Sequence, residues 1–200
     1  MPTPAVAVLK VTLDDIEPTI MRRVVVPANI ALDRLHLVIQ AAMGWTNSHL
    51  YAFQIGGSNW GEPDPDGFYD GPLAAKKGRL STVLADAGRK TFTYLYDFGD
   101  GWSHTVRLEK FAPAVDGATN ILLLDAIGRC PPEDCGGAPG YETLLEILVD
   151  PDHEEHEETL QWCGGQFDPA RADLTALEGA IDRLARRWAP RPRGASKPKA

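Results

Sequence analysis

Runs that alternate apolar and polar residues fall before about residue 127 of this 200-residue chain, and helical spacing dominates after it. Strands first and helices last favour an α+β architecture over a wound parallel sheet, so this order restricts the fold more than any composition does. Residues 5–13 alternate and are rich in Val, and 20–26 read as their hairpin partner, stopped by Pro27. Leu32, Leu35, Val38, Ile39, Ala42 and Met43 lie on one helical face, with Asp33 in the first turn and Gly44 placed to end the helix. His36, one position from that stripe, reads as a partly buried structural histidine. Further strands are predicted at 50–55, 91–98, 102–109 and 121–127, and a short helix at 80–87. The Gly- and Pro-rich run 56–72, carrying Trp60, Phe68 and Tyr69, is too long for a tight turn and reads as a packed lid or functional loop.

Near the C-terminus, Asp150-Pro151 and Asp168-Pro169 each set an N-cap acceptor before a first-turn proline, which predicts two helix starts. Tyr141, Leu144, Leu145 and Leu148 mark one helix, and Leu174, Leu177, Ile181, Leu184 and Trp188 mark the last. The expectation is one α+β domain over residues 1–188, a mainly antiparallel sheet flanked by helices with its C-terminal part helical, followed by a basic disordered tail at 189–200.

Seven of the twenty Lys and Arg lie after residue 182, where there is no acid, so the first 182 residues hold thirteen bases against twenty-eight acids. A field of that sign repels phosphate backbones, and nucleic acid is expected to engage the tail alone. Residues 1–9 lack a basic leader region and no eighteen apolar residues run together, so the expected location is cytoplasmic with no membrane span. Three cysteines, an odd number without an export signal, are expected as reduced thiols. That leaves packing, metal binding or reactivity for Cys130, Cys135 and Cys163.

Two segments are too rich in chemistry to be ordinary connectors, Tyr96-Asp97-Phe98-Gly99-Asp100-Gly101-Trp102-Ser103-His104 and Cys130-Pro131-Pro132-Glu133-Asp134-Cys135-Gly136-Gly137. Asp100-Gly101 between two β-favouring runs is a type I′ hairpin signal. That turn would set Asp97 opposite His104 and Leu95 opposite Val106, with Leu95, Asp97, Trp102, His104, Val106 and Leu108 on one face and Phe92, Tyr94, Tyr96 and Phe98 on the other. The acid–imidazole pair would be a structural cross-strand contact first, and a general base or metal ligand second. A three-residue loop at 99–101 would instead set Tyr96 opposite His104.

Four residues separate Cys130 from Cys135, within the range of a finger-type zinc pair, with Cys163, His104, His153 or His156 to complete four ligands. The acidic run around His153 and His156 reads more simply as a solvated helix face. Gly136, Gly137 and Gly140 permit positive φ before the helix at Tyr141, an arrangement that can bind anions, but Glu133 and Asp134 beside it would repel one. Asp97, Asp100, Glu133 and Asp134 would together suit Mg²⁺ or Mn²⁺ if the two segments meet. The candidate pocket is therefore Tyr96, Asp97, Asp100, Trp102, His104, Glu133, Asp134 and Tyr141, with Cys130, Cys135 and His104 as candidate metal ligands. Its expected role is a non-catalytic binding or adaptor module for a protein or small-molecule ligand. The alternative is a metal-assisted hydrolase or nuclease-like enzyme using Asp97, Asp100, His104, Glu133 and Asp134, and a DNA accessory protein acting through its tail ranks third.

The chain resembles the plasmid Orf-three-like family, whose members are also described as insertion-element passenger proteins of the TnpR type. The resemblance is carried by Arg22-Arg23-Val24-Val25-Val26-Pro27, Leu35-His36, Ile39-Gln40-Ala41-Ala42-Met43-Gly44-Trp45 and Ser48-His49-Leu50, then by the two segments above, Gly140-Tyr141 and Phe167-Asp168-Pro169. It implies a compact α+β domain with a sheet flanked by helices and a place on mobile elements. The family tends to have a cysteine where this chain has Leu123 and a leucine where it has Cys163, which weighs against zinc. A resolvase is not implied, because Ser103 abuts acids rather than a basic cluster and Tyr141 is the last tyrosine.

Overall fold

The computed structural model describes residues 5–64, 66, 71–113 and 121–189; Phe68, Tyr69 and the basic tail from residue 190 lie outside the described residues. Alternation at the start of the chain produces β1 (Ala5–Leu13), antiparallel to β2 (Met21–Pro27). Pro27 closes the strand from within, opposite Val6, where a missing N–H removes only an end bond of the ladder. Helix α1 (Leu32–Met43) ends as its pattern requires, with Gly44 at φ +87° and its N–H on the Gln40 carbonyl at 2.9 Å.

Next come β3 (Tyr51–Ile55), β4 (Ser58–Gly61), β5 (Leu73–Ala74), α2 (Leu80–Ala87), β6 (Thr91–Tyr96), β7 (Trp102–Pro113) and β8 (Leu122–Ile127). Three helices follow, α3 (Gly137–Val149), α4 (His156–Trp162) and α5 (Leu174–Trp188). The strands form one sheet in the order β5-β4-β3-β6-β7-β1-β2-β8, antiparallel at every junction except β4 with β5. The α+β expectation holds. Inward residues such as Leu9, Val11, Val24, Phe53, Tyr94 and Val106 are buried with Leu35, Val38 and Ile39 of α1 and Ile181 of α5.

The structure corrects three local expectations. The run 56–72 is not all loop, because Gly56 and Gly57, at φ +58° and +84°, turn β3 into β4, where Trp60 pairs with Phe53. The Asp-Pro steps do not start helices. Asp150 and Asp168 spend their carboxylates on the amides of Asp152 and Ala170 two residues on, a local turn that competes with capping, and α5 is instead capped by Asp173, which accepts from Ala176 N at 3.0 Å.

The third correction is the hairpin register. Tyr94 pairs with His104 and Tyr96 with Trp102, so residues 97–101 form a five-residue loop rather than a two- or three-residue turn. Asp97 leaves the ladder in the left-handed region at φ +53°, its carbonyl accepts from Gly101 N at 2.6 Å, and its Oδ1 takes the amides of Gly99 and Asp100 at 2.9 and 3.4 Å. Relative to the two-residue turn the pairing slips by three residues. An odd slip turns one strand's face over, and His104 joins Tyr94, Tyr96 and Trp102 on the buried side.

Candidate functional site

Burial decides which imidazole is available. His104 is fully enclosed, and its Nδ1 lies 3.1 Å from the carbonyls of both Tyr94 and Trp102, which can only accept, so Nδ1 carries the proton. Its Nε2 has no hydrogen-bond partner among the described residues. Burial lowers its pKa from 6.5 to about 4, with the two carbonyls opposing. The ring is thus a neutral core group in edge contact with Trp45 at 5.4 Å, so the structure places His104 in the core rather than on the wall of the expected pocket. Trp102, 2% exposed, is likewise core.

A second buried network surrounds His36. Tyr94 Oη accepts from Gln40 Nε2 at 3.0 Å, which frees its O–H for His36 Nδ1 at 2.7 Å and leaves the Nε2 proton for Asn47 Oδ1. The His36 ring stacks on Tyr51 at 3.6 Å, and burial holds its pKa down at about 4. His36 is structural, and fully rather than partly buried.

The hairpin loop and the thiol segment do meet, with the α1–β3 connector between them. Tyr96 Oη donates to Glu133 Oε1 and accepts from Ser48 N at 3.0 Å, while Glu133 Oε2 takes the Thr46 amide at 2.9 Å and its hydroxyl. Burial first, and then the bond to Glu133, holds the Tyr96 phenol above its ordinary range. Trp45 stacks on Tyr96 at 5.1 Å and donates from Nε1 to the Pro131 carbonyl at 2.9 Å. Gly136 N donates to Asp100 Oδ2 at 3.2 Å. Gly137, at φ +70°, passes so near that an added Cβ would lie 2.4 Å from the Asp100 carbonyl. Glu133 and Asp100 are therefore ties between the segments.

The open corner of this junction is built on a residue that the sequence marked only as part of the family resemblance and not as a site candidate, His49. Its Nδ1 lies 3.6 Å from Asp97 Oδ2 and its Nε2 3.1 Å from Asp134 Oδ1, the latter out of line for a hydrogen bond. One ligand atom from each of His49, Asp97 and Asp134 falls within 4.8 Å of the others. Asp97 is 8% exposed, whereas the Asp134 side chain, on a left-handed loop residue at φ +61°, is 72% exposed. The signal in the sequence was the polar stretch Trp45-Thr46-Asn47-Ser48-His49 between a helix and a strand. Leu50 and Phe98, the chain neighbours of His49 and Asp97, line a cavity of 720 Å³ with Leu73, Leu95, Glu62 and Asp64.

The thiols lie elsewhere. Cys130 Sγ accepts from the Arg22 guanidinium at 3.4 Å and contacts Met43 Sδ at 3.3 Å, and burial pushes its thiol up to about 11 despite Arg22. Cys135 sits by the Gly137 carbonyl at 4.0 Å, pushed up to about 12 by burial and then by Asp100. Burial also raises Cys163. His153 Nδ1 accepts from Glu155 N and His156 Nδ1 donates to the Ile147 carbonyl, so both rings are occupied locally. No Cys belongs to a group of three such ligands among the described residues, so the structure does not bring Cys130, Cys135 and His104 together as a ligand set. Tyr141, 1% exposed on α3, packs against Phe167 and lines a different cavity with Asp15, Glu17 and Glu142.

A family model described as plasmid pRiA4b ORF-3-like protein matches residues 5–176. The chain is 53% identical over 182 residues to the uncharacterized protein y4hQ of Sinorhizobium fredii, covering 90% of this chain and 93% of the relative. It is also similar to the crystal structure of a protein of unknown function, MM3350 from Methanosarcina mazei, with a TM-score of 0.77, 36% identity and coverage of 86% of this chain and 97% of that one. Among the described residues no helix is long and apolar enough to cross a membrane.

Proposed function

The chain belongs to the plasmid pRiA4b ORF-3-like family, and on that premise we propose that it acts as a non-catalytic binding module, carried on mobile elements, whose ligand seats beside the hairpin loop. The observation that carries this reading is the 720 Å³ cavity at Leu50 and Phe98, a volume within the range of small-molecule sites. Phe98 and Leu50 stand 55% and 56% exposed at its wall. With Glu62 and Asp64 also lining it, the cavity suits a ligand with an apolar body and a cationic end. The engagement of Glu133 and Asp100 in holding the segments together suits a rigid recognition surface better than a mobile acid–base pair.

Calorimetric titration with tryptamine, indole and indole acetate compares a cationic, a neutral and an anionic end on one aromatic body. The expected result is saturable binding of the amine, about tenfold or more tighter than the acid (~1.4 kcal/mol), and its loss in Phe98→Ala. Equal affinity for amine and acid, or no effect of Phe98→Ala, rejects the reading. A metal-assisted hydrolase is the second reading, favoured by the way His49 takes the place beside Asp97 that His104 had been expected to fill. Phosphoester turnover abolished by His49→Gln would select it over the binding module.

A further inference from the structure

We infer that His49, Asp97 and Asp134 form a binding site for one divalent transition-metal ion, of which Zn²⁺ is the test case. One observation independent of the clustering, at His49 Nε2, supports a cation here, and the burial of Asp97 adds to it. Asp97 is 8% exposed, its Oδ1 taking two amides and its Oδ2 facing His49 Nδ1 at 3.6 Å. The Nε2 of His49 is enclosed and has no hydrogen-bond partner among the described residues, with Asp134 Oδ1 3.1 Å away. An enclosed ring nitrogen without a partner is unfavourable unless something compensates it, and a cation does so for a deprotonated Nε2.

The geometry fits an ion of this size. Two ligands of a tetrahedral metal with bonds of about 2.0–2.2 Å stand roughly 3.4 Å apart, close to the 3.1 Å between His49 Nε2 and Asp134 Oδ1. Asp97 supplies the third ligand, one atom from each of the three residues lying within 4.8 Å of the others. One imidazole and two carboxylates make a borderline-to-hard donor set, suited to Zn²⁺ or Mn²⁺ rather than to the soft metals that prefer thiolate. Three protein ligands leave room for water or for a donor atom from a ligand in the adjoining cavity.

The inference rests on the same corner as the binding module, yet it is tested without any organic ligand, and the indole titrations can be run in chelator, so either can fail while the other stands. The full-length chain, stripped with chelator, is titrated with Zn²⁺ by calorimetry and with Co²⁺ by absorption. One ion per chain is expected, with a Co²⁺ spectrum free of thiolate charge-transfer. Asp134→Asn, which tolerates the left-handed backbone there, and His49→Gln should each weaken Zn²⁺ about tenfold or more with thermal unfolding of the metal-free chain unchanged for Asp134→Asn. No binding by the wild type, a thiolate band, or undiminished affinity in either variant overturns the site.

Discussion

Acidification should unfold this protein through two buried imidazoles before its carboxylates titrate. His36 and His104 both have pKa values lowered from 6.5 to about 4 by burial. Their folded forms stay neutral between those values while the unfolded chain takes up a proton at each, so stability falls as pH falls through that window and is fully present above about 6.5. One pKa unit corresponds to about 1.4 kcal/mol. Each ring thus removes about 3 kcal/mol between pH 6.5 and 4, and the two together about 6–7, a large fraction of a typical 5–15 kcal/mol total. Urea unfolding, followed by tryptophan fluorescence because Trp45 and Trp102 are buried near His104, should give a stability slope near 2.7 kcal/mol per pH unit around pH 5. Stability that is flat from pH 6.5 to 4.5 and drops only where carboxylates protonate would refute the assignment of both rings as neutral core groups.

Arg22→Met should destabilise the fold by about 3–5 kcal/mol. The buried guanidinium bonds the carbonyls of Ala42, Met21 and Ile127 at 2.7–2.8 Å, tying the end of α1 to β2 and β8, and an apolar replacement removes a donor from each. Chemical denaturation checks this, and a loss under about 1 kcal/mol would mean that water replaces those bonds. Gly137→Ala should cost about 2–3 kcal/mol, from left-handed backbone strain plus the 2.4 Å approach to the Asp100 carbonyl. Since that carbonyl belongs to the hairpin loop, amide exchange in residues 97–101 should accelerate in the same variant.

Much of the secondary structure could be read before any coordinates. The alternation of β1, the apolar stripe of α1 with Gly44 behind it, and the seam of α5 all formed where their spacing placed them. Each depends on neighbours two to four residues away, which periodicity records directly. The meeting of the hairpin loop with the Cys130–Gly137 segment was a condition set by residue chemistry alone, and the bonds from Tyr96 to Glu133 and from Gly136 to Asp100 are its physical form.

Register and partnership were not local properties. Asp-Gly at 100–101 signals a two-residue turn, but Asp97 captured two amides with one carboxylate oxygen and lengthened the loop to five residues, which sent His104 into the core. His49 and Asp134 are 85 positions apart and meet because the sheet order sets β3 beside β6 and the thiol segment bonds to Tyr96 at the end of β6 and to Thr46 in the connector before β3. Periodicity therefore determined which stretches became strands and helices, because it is written in short-range spacing. Which imidazole faces solvent beside the carboxylates was decided by strand register and sheet order, which depend on contacts no short window of sequence contains.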